Sequence, residues 1–279
     1  MSDAVPMVTL NNQVEIPQLG FGVFQVDPAE TGDVVRQALE VGYRHIDTAE
    51  MYGNEKGVAE GISASGLERS EVWITSKINN NNHGREKTLR AFDQSLADLK
   101  IDQIDLMLIH WPLPDAGDFV GTWQALSEMY RAGRARTIGV SNFQPTHLDR
   151  LAQESDVVPV VNQIEVHPYL TQESLRAYNQ RHQIATEAWS PIAQGGVLDD
   201  SVITGLAEKY DRTPAQIVLR WHVQLGSIVF PKTVTPSRMK ENLDLFDFEL
   251  ADDDMAAVSG LNKDERTGPD PDEFNYIPD

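Results

Sequence analysis

The chain has 279 residues, 41% of them hydrophobic, and a net charge of −20 from 43 acids against 23 bases. A balance that acidic excludes a broad nucleic-acid or anionic-membrane footprint, so any anionic ligand must be held by a local basic cluster. The absence of cysteine excludes disulfides and thiolate metal sites, and the start MSDAVPMVTL lacks the basic and apolar regions of a signal peptide. No apolar run reaches membrane-spanning length, so the sequence predicts a soluble cytoplasmic protein, a monomer with a small molecule as its partner.

In chain order, Met7–Leu10 and Val14–Ile16 flank Asn11-Asn12 and read as a small hairpin. Ala29–Val41 has helical spacing at Val34, Val35, Ala38 and Leu39. A strand around Ile46 ends at Asp47, Tyr52 follows on the loop, Gly53-Asn54 makes a turn, and Glu55–Ser65 is a helix. Val72–Ser76 is a strand ending at Lys77. Arg85–Leu99 is an amphipathic helix with Leu89, Phe92, Leu96 and Leu99 on one face.

Ile104–Ile109 is a strand ending at His110, Thr122–Ala132 a helix stopped at Gly133, and Ala135–Val140 a strand ending at Ser141-Asn142. Gln144–Ala152 is a helix, and Val158–Ile164 a strand carrying Asn162 and Gln163. Gln172–Gln180 is a helix, and Ile184–Ala188 a strand ending at Trp189. Helices at Ser201–Tyr210 and Pro214–Leu225 precede the last strand, Ser227–Phe230, which runs into Pro231-Lys232. Ser237–Leu243 and Asp252–Val258 close as helices. The acidic tail, rich in Pro and Gly, at Asn262–Asp279 predicts an irregular strap or a mobile end.

This is βα repeated about eight times over some 250 residues, the period and length of a TIM barrel. An open doubly wound sheet is disfavoured, because no G-x-G-x-x-G follows a first strand and polar residues end many strands. The prediction is an α/β fold: a (β/α)8 TIM barrel with an N-terminal β-hairpin and extra C-terminal helices and tail, one domain over residues 1–279.

The C-terminal ends of barrel strands meet on one rim. Asp47, Lys77 and His110 lie at such ends, with Tyr52 on the loop after the first. A phenol, with a reference pKa of about 10, needs a neighbouring cation to give up its proton, and a buried cation needs a counter-ion. Lys77 is that cation and is expected to lower the phenol's pKa, Asp47 is the counter-ion, and His110 can donate to a carbonyl oxygen. Taken singly, the tyrosine packs, the aspartate caps a turn and the lysine is solvated. Together at one rim, the four read as an acid–base set.

The motifs Gly42-Tyr43-Arg44-His45-Ile46-Asp47-Thr48-Ala49, Tyr52-Gly53-Asn54-Glu55, Ser76-Lys77, His110-Trp111-Pro112, Gly139-Val140-Ser141-Asn142-Phe143, Asn162-Gln163-Ile164-Glu165 and Pro231-Lys232 occur in that order. In these the chain resembles the aldo-keto reductase family over nearly its full length, closest to the bacterial 2,5-diketo-D-gluconic acid reductase-like subgroup. The resemblance implies NADPH bound without a Rossmann motif and the reduction of aldehydes and ketones: small carbonyls, dicarbonyls or keto-sugar acids. It assigns Tyr52 as proton donor, Lys77 and Asp47 as the pair that tunes it, and His110 as the group that orients the carbonyl.

The resemblance also places Ser141, Asn142 and Gln163 at the nicotinamide carboxamide, with Trp189 stacked on the ring and Ser190 beside it. Lys232, Thr233 and Arg238 grip the 2′-phosphate, with Glu241 and Asn242 near the adenine. That implies NADPH over NADH, although Thr235 stands where relatives carry a base. Phe24, Trp111 and the long loops, including Ile192–Asp200 and the tail, are expected to line the substrate pocket; Phe24 replaces a common Trp, and Asn79 falls where relatives have Trp. The alternatives are a non-catalytic NADP(H)-binding module on the same fold, and a lyase using Lys77 as a Schiff base, which an Asp47-paired ammonium opposes. His83, His147, His167, His182 and His222 suggest no closed ligand set, so no metal is expected.

Overall fold

The computed structural model describes residues 5–278. Its first feature is the hairpin, β1 (Met7–Thr9) and β2 (Glu15–Pro17), antiparallel, with Val8 opposite Ile16. Leu10 and Ile16 of this hairpin are buried with Trp73, Leu106, Leu108, Val161, Ile228 and Phe230. The hairpin turn is tied to the segment before a later strand by Asn11 Nδ2 donating to the Pro159 carbonyl, 3.0 Å. The hairpin is therefore an apolar floor beneath the rest of the sheet.

Eight parallel strands follow in sequential order: β3 (Phe21–Gly22), β4 (His45–Asp47), β5 (Trp73–Ile78), β6 (Ile104–Ile109), β7 (Ala135–Ser141), β8 (Val161–Glu165), β9 (Ala185–Trp189) and β10 (Ile228–Val229). A parallel bridge between Leu19 and Val229 joins the first strand to the last and closes the barrel. The Gly20 N–H donates to the Val229 carbonyl, 2.9 Å, and the Val229 N–H to the Gln18 carbonyl, 3.0 Å. Gly20 is required at this seam, because a Cβ there would lie 2.6 Å from the Phe230 ring.

Helices between the strands present one apolar face to the sheet. In α1 (Thr31–Val41) the buried residues include Val34, Val35, Ala38 and Leu39, as the spacing predicts. Gly42 ends that helix with φ +128°, its N–H capping the Ala38 and Leu39 carbonyls. α2 spans Glu55–Ser65, and α3 (Arg85–Leu99) buries Phe92, Leu96 and Leu99. α4 begins at Phe119, three residues before the sequence placed it, because the Asp118 side chain caps the Gly121 N–H at 2.8 Å. α5 (Pro145–Glu154), α6 (Glu173–Arg181), α7 (Ser201–Tyr210), α8 (Pro214–Gln224), α9 (Pro236–Leu243) and α10 (Asp252–Ser259) complete the set.

The strand period of two carries the site upward from the floor. Along β5, Trp73 packs in the floor, Thr75 donates to His45 Nε2, whose Nδ1–H is taken by the Pro17 carbonyl, and Lys77 reaches the rim. Along β8, Val161 is floor, then come Gln163 and Glu165; along β9, Ala185, then Glu187 and Trp189. One end of the barrel is thus sealed by apolar side chains, and polar groups gather at the other.

The tail is a strap, as one of the two sequence expectations held. Buried Glu165 accepts from the Thr267 N–H at 2.5 Å and the Gly268 N–H at 3.2 Å, and also pairs with His167 at 3.0 Å. Asn80 Nδ2 donates to the Tyr276 carbonyl, 2.9 Å. No helix among the described residues is long and apolar enough to cross a membrane.

Candidate active site

Lys77 is fully buried on β5. Its ammonium donates to Asp47 Oδ1 at 2.8 Å, Asp47 Oδ2 at 2.9 Å and the Thr48 carbonyl at 2.8 Å. Three acceptors for three N–H bonds leave no unpaired donor, which is the condition for burying an ammonium. Burial opposes the charge, but Asp47, with Tyr52 and Glu187, outweighs it, and the Lys77 pKa is raised. The lysine is therefore a fixed cation.

Tyr52 lies on a single 3₁₀ turn, Glu50–Tyr52, ended by Gly53 with φ +66°. The Lys77 ammonium sits 5.1 Å from the Tyr52 ring centroid. The Lys77 charge acts in the expected direction but does not set the net shift. Burial pushes the phenol up, and although the Lys77 charge lowers it, the net direction is upward. Asp47, needed to hold the lysine, adds to the rise. The cation limits the rise; it does not reverse it.

The turn itself is held by residues the motifs contained but the sequence reading left without a task. Glu50 accepts from the Asn79 N–H at 2.9 Å. Thr48 Oγ1 donates to Asn54 Oδ1, 2.8 Å, and Asn54 Nδ2 to the Val23 carbonyl, 3.0 Å. Glu55 is buried and accepts from Ser76 and Ser95. Asn79 caps its own turn by accepting from the Asn80 N–H at 2.7 Å.

His110 follows β6, its ring centroid 5.8 Å from that of Tyr52, edge to face. Burial, helped by the Lys77 charge and by His83, lowers its pKa well below the ordinary value, so the imidazole is neutral. Its Nδ1 is sealed in protein without a partner, which leaves Nε2 to face the site. Phe24, half exposed, lies 5.0 Å from the Tyr52 ring; Trp111 lies 4.4 Å from Phe274 of the strap and 6.5 Å from Trp189. These aromatic rings lie above the charged set, and Phe274 brings the tail to Trp111.

On the opposite side of the rim the amides form one network. Ser141 Oγ donates to the Gln163 carbonyl at 2.9 Å, and Asn142 Nδ2 donates to the His110 carbonyl at 2.9 Å and to Ser141 Oγ at 3.1 Å. Asn142 holds a left-handed φ of +65° and accepts from Trp189 Nε1 at 2.8 Å, which orients the indole. Ser190, next in the chain, is also left-handed at φ +47°. Gln163 Nε2 donates to Asp47 Oδ2 at 2.8 Å and to Glu187 Oε2 at 2.9 Å. The two halves of the site are therefore joined by hydrogen bonds through Asp47. Glu187 is an addition to the sequence reading; an acid inside the short apolar strand Ile184–Ala188 was its only signal.

Farther out, Lys232 and Arg238 are exposed, and neither makes an ion pair among the described residues; half of the other exposed Lys and Arg residues are paired. Both border the start of α9, whose free N–H groups favour an anion. Thr233 is buried between them, its Oγ1 accepting from the Thr235 N–H at 3.1 Å. Asn242 is buried on the same helix. Glu241 has a structural partner instead of open space: it accepts from Thr213 Oγ1 at 2.7 Å, tying α9 to the start of α8.

The residues fit a nicotinamide dinucleotide phosphate. An oriented indole, a side-chain carbonyl oxygen of Gln163 (Oε1) that accepts no hydrogen bond among the described residues, and two cations without ion pairs at a helix start answer its ring, its amide and its phosphate.

The sequence model of the Aldo/keto reductase family matches residues 18–263. Glyoxal reductase of Bacillus subtilis is 49% identical over 270 residues, covering 96% of this chain and 97% of that protein. Methylglyoxal reductase DkgA of Escherichia coli is 47% identical over 270 residues, covering 96% and 98%. Among solved structures, a mutant of Gox0644 in complex with NADPH superposes with a TM-score of 0.95 at 45% identity, covering 98% of this chain and all of that one at 100%.

Proposed function

The chain belongs to the aldo/keto reductase family and is an NADP(H)-dependent oxidoreductase that reduces carbonyls, and from that premise we propose that Tyr52 delivers the proton and that small aldehydes and dicarbonyls are the substrates. The observation that carries the assignment is the fully buried Lys77, clamped by both oxygens of Asp47 and lying 5.1 Å from the Tyr52 ring centroid. Bound, the nicotinamide supplies the hydride for the carbonyl carbon. Negative charge then grows on the carbonyl oxygen, and the site's own residues answer it.

Neutral His110 donates a hydrogen bond to that oxygen from Nε2 and fixes its direction. Tyr52 gives its proton to the same oxygen. Its raised pKa keeps the proton in place at neutral pH until it is needed, and the Lys77 ammonium stabilises the phenolate left behind. Asp47 keeps Lys77 charged and pointed inward. Ser141, Asn142 and Gln163 hold the carboxamide, Trp189 and Ser190 flank the ring, and Lys232, Thr233 and Arg238 hold the 2′-phosphate, with Asn242 and Glu241 toward the adenine. Phe24 and Trp111, with Phe274, line the substrate pocket.

Support for the substrate class comes from the relatives' names, glyoxal and methylglyoxal reductase, and from a mouth walled by aromatic rings. The test of the chemistry is Tyr52→Phe, which should keep NADPH affinity while carbonyl turnover falls by about 10²–10⁴-fold, the range for a positioned acid. Near-normal turnover in that variant would refute the role. Following NADPH absorbance against glyoxals, benzaldehydes, keto esters and keto-sugar acids tests the substrate class, and turnover confined to the keto-sugar acids would overturn it.

A further inference from the structure

Glu187 is fully buried in the middle of the barrel, directly beside Gln163 in the β8–β9 register, with Ile228 on its other side. It touches none of the groups assigned to the reaction except through Gln163. Its Oε2 accepts from Gln163 Nε2, and its Oε1 is buried with no partner among the described residues. A buried carboxyl with an unmet oxygen is costly to keep and needs a reason.

Gln163 supplies one. A primary amide has two N–H bonds and one carbonyl oxygen, and its two ends have nearly the same shape. Here one N–H meets Asp47 and the other meets Glu187. Both donors are claimed by carboxyls below the rim, so the oxygen is the end left for a ligand. With Asp47 alone the amide keeps its nitrogen downward but pivots about a single hydrogen bond. The second bond removes the pivot.

We propose that Glu187 is a positioning residue that locks the Gln163 amide, so that its carbonyl oxygen is presented as a fixed acceptor to the N–H of the cofactor's carboxamide. This rests on the reading above that Gln163 meets the nicotinamide. The same clamp joins the cofactor side of the site to the counter-ion of Lys77, because Asp47 is the amide's other partner. Burial and the nearby Asp47 push the Glu187 pKa up to about 8, against the Gln163 hydrogen bond and the Lys77 charge. Glu187 therefore holds its proton more readily than an ordinary glutamate, which lessens the negative charge set beside Asp47.

The test is equilibrium binding of NADP⁺ and of its 3-acetylpyridine analogue, which lacks the carboxamide N–H, followed by quenching of tryptophan fluorescence. The parent should prefer NADP⁺. Glu187→Leu, similar in size and free of the buried carboxyl, should narrow that preference by about five- to tenfold, the worth of one oriented hydrogen bond. Glu187→Gln keeps an acceptor oxygen for Gln163 and should retain the preference; Glu187→Ala repeats the leucine test should that variant fold poorly. Gln163→Leu is the reference for complete loss. Full preference in Glu187→Leu and Glu187→Ala alongside its loss in Gln163→Leu would overturn the role of Glu187 alone. Preference unchanged in Gln163→Leu would overturn the placement of the carboxamide itself. Loss in Glu187→Gln as large as in Glu187→Leu would also overturn the clamp, because acceptance of the hydrogen bond would then not be what matters.

Discussion

Lys77 and Lys232 both lie at or just past the end of a barrel strand, yet their surroundings are opposites. Lys77 has every N–H paired and no exposure to water. Lys232 is exposed and makes no ion pair among the described residues. The first cation is complete before any ligand arrives, which suits a charge that must act on a neighbouring phenol without moving. The second is incomplete, which suits a charge that must bind and release an anion. A buried ammonium needs its counter-ion in the same fold, whereas an exposed one keeps its hydration until a phosphate displaces it.

The contrast is broken most severely at the buried cation. Lys77→Met leaves Asp47 buried without a partner. Carbonyl turnover should fall by about 10³-fold or more, and stability by about 3–5 kcal/mol, the usual cost of breaking a buried pair; steady-state kinetics and denaturant melts read the two separately. Turnover within tenfold of the parent would mean that the ammonium has no part in the proton step. At the open site, Lys232→Ala and Arg238→Ala should each weaken NADPH about tenfold, as loss of one charge-assisted hydrogen bond does, and leave the NADH dissociation constant unchanged. Equal losses for the two cofactors would end the assignment of the 2′-phosphate to this corner.

The smallest effect concerns Glu187. Its folded-state pKa of about 8 lies above the ordinary glutamate value of about 4.3. The folded state therefore binds the proton more tightly than the unfolded one, and this contribution to stability is whole below about pH 4 and lost as pH climbs through about 8. Glu187→Gln removes that loss, so its melting temperature should gain on the parent by a few degrees between pH 5 and pH 9. Parallel curves across that range would show that Glu187 does not titrate there.

Most of the architecture was legible, because strands and helices alternate with short connections and each helix carries its own apolar stripe. Asp47, Lys77 and His110 were legible for the same reason: a barrel brings strand ends together whatever their separation in sequence. Boundaries slipped where a side chain, not periodicity, set them, as Asp118 did for α4. The β8 strand begins at Val161 and not at Val158, since Pro159 has no N–H to give a ladder. The direction of the Tyr52 shift could not be read from the chain, because it depends on how much protein surrounds the phenol. Glu187 and Glu165 were missed because their partners lie 24 and 102 residues away, and an acid in a short strand does not announce whom it meets.

The strap has a consequence for how such an enzyme changes its preferences. The phenol, its cation and the imidazole come from residues 47–110, whereas Gly268 lies against the Trp189 indole and Phe274 against Trp111. The reactive set thus comes from residues 47–110, whereas the entrance is shared between Phe24, Trp111 and the C-terminal strap. A few substitutions, or a change of length, in the last dozen residues can redraw the entrance while the reactive centre stays as it was, and a lineage can try new diets without relearning its chemistry.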